Sequence, residues 1–342
     1  MTRVSGLEPV SLFRRREIWI WLGLVTLAAL FPLTQPTTAR LLMTMQMFLL
    51  ITLATNWNLI GGMTGYVDFG HLTFFGVGAY TVGILMTRSK EVLFAPQLPF
   101  WQALPFAGLM AMLFAFLLGM ATLRLRGPYF SIAMLATLLA MRELTRLASP
   151  LTGGGAGLDL PPELNRVQEY YITLGLMTLS VGLIWWIRNT EFGLSLLAIR
   201  EDEIGAEMRG INTTLHKTVA FSLAAFLTGL VGGFWAWQNT YIDPDVVFFE
   251  PRNLEMIMAA VLGGLGTVWG PPLGAAVLYW LREFFWSRFL LAHLLGLGIM
   301  LMLVVLFLPG GIVGLMGRRG SVSLASLWQL RPFASSQQEE NP

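Results

Sequence analysis

Cysteine is missing from all 342 residues, lysine occurs only twice, and histidine three times. The first absence excludes disulfides, thiolate metal sites, iron–sulfur clusters and thiol nucleophiles. His71, His216 and His293 lie far apart, so no metal centre is expected. The scarcity of lysine excludes a nucleotide site of the G-x-x-x-x-G-K-[ST] type, which needs lysine directly after glycine. Lys90 precedes Glu91, and Lys217, though followed by Thr218, has His216 where the glycine belongs. The chain is therefore expected to bind no cofactor of its own. Charge is scarce too, at 12% of residues against roughly a quarter in soluble domains. The formal net charge of +2 is spread along the chain, so a pI near 9.1 signals no clustered basic face for nucleic acid. No H-E-x-x-H, no G-x-S-x-G elbow and no carboxylates paired at catalytic spacing occur. No catalytic residue is assigned, and an enzyme is not expected.

What the chain has in abundance is apolar length. It is 55% hydrophobic with a mean hydropathy of +0.64, and apolar runs recur at about 18–34, 41–60, 69–87, 100–123, 128–147, 170–187, 217–238, 253–268, 272–286 and 289–308. Runs of this length span a bilayer as helices. The expected fold is all-α, a polytopic transmembrane bundle of about 8–10 spans. Gly61–Gly70 and Gly263–Gly270 mark broken or re-entrant segments. Residues 1–16 read as a cytoplasmic N-terminal segment, 17–309 as the membrane domain and 310–342 as a largely disordered cytoplasmic tail. Arg14–Arg16 before the first run fit either a signal peptide or a retained anchor. The anchor is preferred, because Thr37-Thr38-Ala39 is a poor cleavage match. If every run crosses once, residues 61–68, 124–127, 188–216 and both termini share one side, which is also the more basic one and hence cytoplasmic.

The longest polar segment between spans, about 188–217, is organised as a helix. Leu196, Ile199, Glu203 and Glu207 recur at helical spacing, Ser195 is a candidate N-cap, and Gly210 stands where the helix would stop. A second short helix is expected from Asn212. The segment suits either a surface that docks a soluble partner or a solvated linker helix.

A second polar cluster, Asn56, Asn58, Gly65, Asp68, His71, Gly76 and Gly78, lies at the edge of the second and third runs. Its glycines permit close backbone approach and turning at membrane depth. Asp68 is placed to cap a helix starting near Phe69, with His71 one turn in. An ionisable pair in such a place is a functional candidate, and equally a satisfied helix end. These seven residues are candidates for the translocation path. Further on, Glu143 and Arg146 at i, i+3 are expected to pair near the outer rim, whereas neighbours Arg142 and Glu143 are not expected to share a face. Glu255-Met-Ile-Met-Ala-Ala-Val-Leu-Gly-Gly264 through Gly274 reads as a small-residue interface followed by a tight turn.

Ala198-Ile-Arg-Glu-Asp-Glu-Ile-Gly-Ala-Glu-Met-Arg-Gly-Ile211 resembles the cytoplasmic loop of branched-chain amino acid ABC transporter permeases, which typically reads A-x-R-x-x-E-x-A-A-x-x-x-G-I. Gly205 stands where an alanine is usual. The Asn56–Tyr80 stretch is similar to the same family's most recognisable segment, although many relatives carry a small hydroxyl residue at Asp68. Gly127–Gly157 and Glu255–Ala275 also match, in order. The resemblance implies that Arg200, Glu201, Glu203, Ala206, Glu207, Gly210 and Ile211 belong to the loop that couples to the ATPase. It further implies a second, related permease subunit, two soluble ATPase subunits that use ATP and Mg, and an extracytoplasmic substrate-binding protein. The location is then the inner membrane, and leucine-type amino acids are the default substrate, with amides, urea and small carboxylates open. The competing reading is an ion-coupled secondary transporter using Asp68, His71 and Glu255.

Overall fold

The computed structural model describes residues 10–87, 96–125, 127–161, 165–288 and 310–317, together with single positions 298 and 302. The tenth apolar run and the C-terminal tail lie almost wholly outside the described residues. The other nine runs are each carried by a helix. These are α1 (Val10–Leu30), α2 (Thr38–Ile60), α3 (Leu72–Met86), α4 (Phe100–Thr122), α5 (Pro128–Leu147), α7 (Arg166–Arg188), α10 (Thr213–Asn239), α12 (Glu250–Gly263) and α13 (Gly270–Arg288). Between them lie the short helices α6 (Ser149–Thr152), α8 (Glu191–Glu201), α9 (Glu203–Met208) and α11 (Pro244–Val247), and α14 (Gly311–Gly317) follows. The fold is all-α and polytopic. Four helices, α2, α4, α7 and α10, are long and apolar enough to cross a membrane by length and composition alone, and α3 is a shorter apolar helix.

Caps set several of the starts. Thr37 caps α2, and Asn165 and Gln168 form a reciprocal capping box on α7, each satisfying backbone N–H groups that the first turn leaves unpaired. The first helix is already formed at Val10, ahead of the apolar boundary near 18. Its backbone ladder continues through Arg14–Arg16, because hydrogen bonding within a helix is indifferent to where the apolar run starts.

At the centre stands α10, packed against α4, α3 and α2. Phe221, Val231, Phe234, Ala236 and Trp237 are buried along it. Close packing depends on missing side chains: a Cβ on Gly78 would collide with the backbone of Gly229, so α3 and α10 touch backbone to backbone. Two end caps complete the body. At one end Leu158–Asp159 and Tyr241–Ile242 form a two-residue antiparallel pair, Thr87 Oγ1 donates to Asp159 O, and Arg146 reaches Asp245. At the opposite end the turns after α2, α4 and α12 meet the 188–217 segment. Among the described residues, three of the loops that single-crossing bookkeeping puts on one side, those after α2, α4 and α7, share this end.

Candidate functional site

At this second end two glycine-rich turns, 61–66 and 264–269, lie side by side. Asn58, wholly buried near the end of α2, accepts from Gly266 N (2.9 Å) and donates through Nδ2 to Thr267 O (2.9 Å). Arg200 Nη1 donates to Gly62 O (2.7 Å) and Leu265 O (3.2 Å), one carbonyl from each turn. Gly65 has φ +79°, a left-handed conformation that strains any residue with a Cβ, and it sets the chain running beside α5.

The 188–217 segment differs from its expected form in three respects. Thr190, not Ser195, caps the helix, accepting from Gly193 N at 3.3 Å; Ser195 Oγ instead donates back to Glu191 O within α8. The expected single helix breaks at Asp202, which is extended at φ −156°, ψ 105°. The break changes the axis so that Glu203 turns inward. Asn212 starts no second short helix, but caps the long α10 by accepting from Leu215 N at 3.0 Å. Gly210 does end the local helical run, at φ +84°, and Ile211 N returns to Ala206 O.

Side chains of the segment divide by direction. Arg200, Glu203 and Glu207 engage the chain itself. Glu203 accepts from Lys217 Nζ (2.6 Å) and Tyr66 Oη (2.6 Å), and Glu207 accepts from Thr213 Oγ1 (2.7 Å). Ala206 is buried, whereas Glu201 and Gly210 are exposed. The outward face of α9 carries Ile204, 61% exposed, and Met208, 85% exposed. Sequence spacing put the acidic side chains outside; the structure turns the apolar pair out and ties Glu203 inward.

A groove of about 1010 Å³ runs from this end along α5 toward the other end of the molecule. One wall is the segment Thr64–Val67 with Phe69, the other is Pro128, Ser131, Ile132, Leu135 and Leu138 of α5, and Glu250, Asn253 and Leu254 of α12 lie toward the far end. Ile199, Arg200 and Glu203 close the near end. Its polar groups are mostly engaged. Asn253 accepts from Leu72 N (3.1 Å) and donates to Phe69 O (2.6 Å), capping α3 from another helix. Ser131 donates to Val67 O (2.6 Å). Glu250 accepts from Arg142 (2.6 Å). A groove so lined is mainly apolar along its length and charged at its two ends.

Of the seven path candidates, Gly65 alone lines the groove. Asn56, Asn58, Asp68, His71, Gly76 and Gly78 are buried in the body. Asp68 Oδ1 accepts from Gly70 N (2.8 Å), closing a turn rather than capping a helix at Phe69, and α3 begins only at Leu72. His71 Nδ1 faces Asp68 Oδ2 at 2.9 Å and its Nε2 faces Thr228 Oγ1 at 3.0 Å. Trp57 Nε1 donates to Asp68 O at 2.8 Å. Gly76 lies under the Phe248 ring. Neither amide atom of Asn56 has a hydrogen-bond partner among the described residues. Glu255 is paired with Arg282.

At the far rim Arg146 meets Glu143 at 3.2 Å, as the i, i+3 spacing requires. Arg142 also reaches Glu143, at 3.5 Å, correcting the exclusion of that pair. Both are long side chains at a helix end, where reach matters more than the angle between neighbouring positions. Tyr66, Lys217, Ser131 and Asn253 were not singled out as site residues from sequence. Of these only Lys217 left a signal, as one of two lysines in a membrane chain.

The model of a family described as branched-chain amino acid transport system / permease component matches residues 40–308. The high-affinity branched-chain amino acid transport system permease protein LivM of Escherichia coli strain K12 is 28% identical over 294 residues, covering 77% of this chain and 67% of that protein. LivM of Salmonella typhimurium strain LT2 is 27% identical over 323 residues, covering 85% and 74% respectively. The autoinducer 2 import system permease protein LsrC of Yersinia pseudotuberculosis strain YPIII is 30% identical over 255 residues, covering 68% of each chain. No solved structure gives a significant match.

Proposed function

We infer, from the premise that this chain belongs to the branched-chain amino acid transport system / permease component family, how its groove and its polar segment divide the work of import. An ABC permease component for small solutes, integral to the inner membrane, is the level at which family and fold agree. The finer reading is that the chain conducts branched-chain amino acids, or a related small solute, delivered by an extracytoplasmic binding protein. A second, related permease subunit closes the open side of the groove. Two soluble ATPase subunits, holding the ATP and Mg, supply the energy. The basic end with the 188–217 segment then faces the cytoplasm, as do residues 1–16 and 310–342 beside the 17–309 membrane domain.

The observation that carries this reading is the groove. It is partly open to the surface and lined mainly by apolar side chains, and its charged groups, Arg200 and Glu203 at one end and Glu250 at the other, sit at its mouths. A half-channel of this kind suits a leucine-type side chain, which needs apolar walls, while the ammonium and carboxylate of a zwitterion are met only on entry and exit. Ile204 and Met208 supply the ATPase contact. Two apolar side chains one helical turn apart on a projecting helix are suited to a groove on a partner, with the exposed Glu201 nearby in the chain. The ion-coupled alternative gains nothing from Asp68, His71 and Glu255, since each has a partner within the chain.

The test is reconstitution with the second permease, the ATPase and the binding protein in vesicles, with uptake of labelled leucine measured with and without ATP. ATP-dependent uptake is expected. Uptake by the chain alone, driven by a proton or sodium gradient, would refute the reading.

A further inference from the structure

We propose that Lys217 is a positioning residue that fastens the cytoplasmic helix α9 to the wall of the groove, so that displacement of α9 moves Tyr66 and Glu203 directly. The proposal rests on the import reading above and adds the link between its two halves.

Lys217 lies in the first turns of α10 and is 1% exposed. An ammonium buried to that degree needs all three of its N–H groups satisfied, and here they are. It donates to Glu203 Oε1 at 2.6 Å, Tyr66 Oη at 2.8 Å and Leu123 O at 3.3 Å. These acceptors come from three separate pieces of chain: α9, the glycine-rich turn after α2, and the end of α4. Tyr66 Oη in turn donates to Glu203 Oε2 at 2.6 Å, closing a ring of hydrogen bonds, and Lys217 Nζ stands 4.2 Å from the centre of the Tyr66 ring.

Two features make this ring a link rather than a local brace. Glu203 and Tyr66 both line the groove, so the group that senses α9 and the group that shapes the passage are the same. Also, two of the pieces so joined, α9 and the turn that carries Tyr66, are not held by their own secondary structure. Helix α9 has six residues, far below the length at which a helix sustains itself, and Tyr66 follows Gly65 in an irregular turn. A force on the exposed Ile204 and Met208 therefore passes through Glu203 to Tyr66. The ring resists partial opening, because separating the buried ammonium from its carboxylate costs several kcal/mol more than moving the two together.

The experiment uses the complete reconstituted transporter and reads solute imported per ATP hydrolysed. Lys217→Met is expected to lower that ratio at least about tenfold with hydrolysis kept within about twofold. Lys217→Arg, which keeps the cation, should recover part of it. Tyr66→Phe removes one hydroxyl and should lower the ratio roughly fivefold, which decides the matter if Lys217→Met fails to assemble. An unchanged ratio in Tyr66→Phe, or hydrolysis and import falling in proportion in Lys217→Met, would overturn the proposal. A wild-type complex that hydrolyses ATP without importing would overturn the import reading as well, whereas a working wild type with an unchanged ratio in the variants overturns this link alone.

Discussion

Asn56 and Asn58 are two residues apart on one helix, both buried, and the structure assigns them opposite energetic roles. Replacing each with alanine removes the same carboxamide. At Asn58 the loss strands Gly266 N–H in the interior and leaves the half-buried Thr267 C=O without its donor. A buried group left unpaired costs about 1–3 kcal/mol and an ordinary lost hydrogen bond about 0.5–1.5 kcal/mol, so Asn58→Ala should destabilise by about 2–4 kcal/mol. At Asn56 neither amide atom has a partner among the described residues. Deleting the group then relieves a desolvation penalty of about 1–3 kcal/mol, offset by the void it leaves, and the net change should fall within about 1 kcal/mol of zero. The assay is the thermal unfolding midpoint of the purified chain in detergent, with both variants measured beside the wild type. Asn58→Ala should melt several degrees lower and Asn56→Ala close to the parent. Equal drops, or a larger drop for Asn56→Ala, would refute the assignment of Asn58 as the pin between the two glycine-rich turns.

Gly78→Val would force α3 away from Gly229 backbone and should cost about 3 kcal/mol, the upper end for an overpacked core, read as lost expression or a lowered midpoint. Ile204→Asp with Met208→Asp, on exposed positions, should change stability by less than about 0.5 kcal/mol yet abolish co-purification of the ATPase; normal co-purification would move the docking contact elsewhere. Arg142→Ala leaves Glu250 without its 2.6 Å partner at a groove mouth. Both groups are partly solvated, so the expected cost to stability is only about 1 kcal/mol, with the larger effect on initial uptake rate.

Among the described residues, helix placement was legible in the chain because the signal is carried by consecutive residues. A run such as Leu41–Ile60 has one solution in a bilayer, since every backbone N–H and C=O must be paired within the segment. The apolar runs within the described residues accordingly found helices, with differences at ends such as Leu72. The side-chain assignments were less legible. Glu203 and Glu207 fall on helical spacing that reads as an exposed charged face, and only the break at Asp202 and the presence of Lys217 turn Glu203 inward. Asn58 and Gly65 sit in one polar cluster, yet one pins two turns together and the other lines a groove.

Composition and periodicity alone determined that this is a cysteine-free helical membrane protein, and the order of its motifs pointed to its family. What those properties could not decide is which polar groups meet. Lys217 and Tyr66 are joined across 151 positions of sequence and Asn58 and Thr267 across 209. Pairing at such separations depends on how whole helices pack, because hydrogen bonds act over about 3 Å and leave no trace in the spacing of either partner.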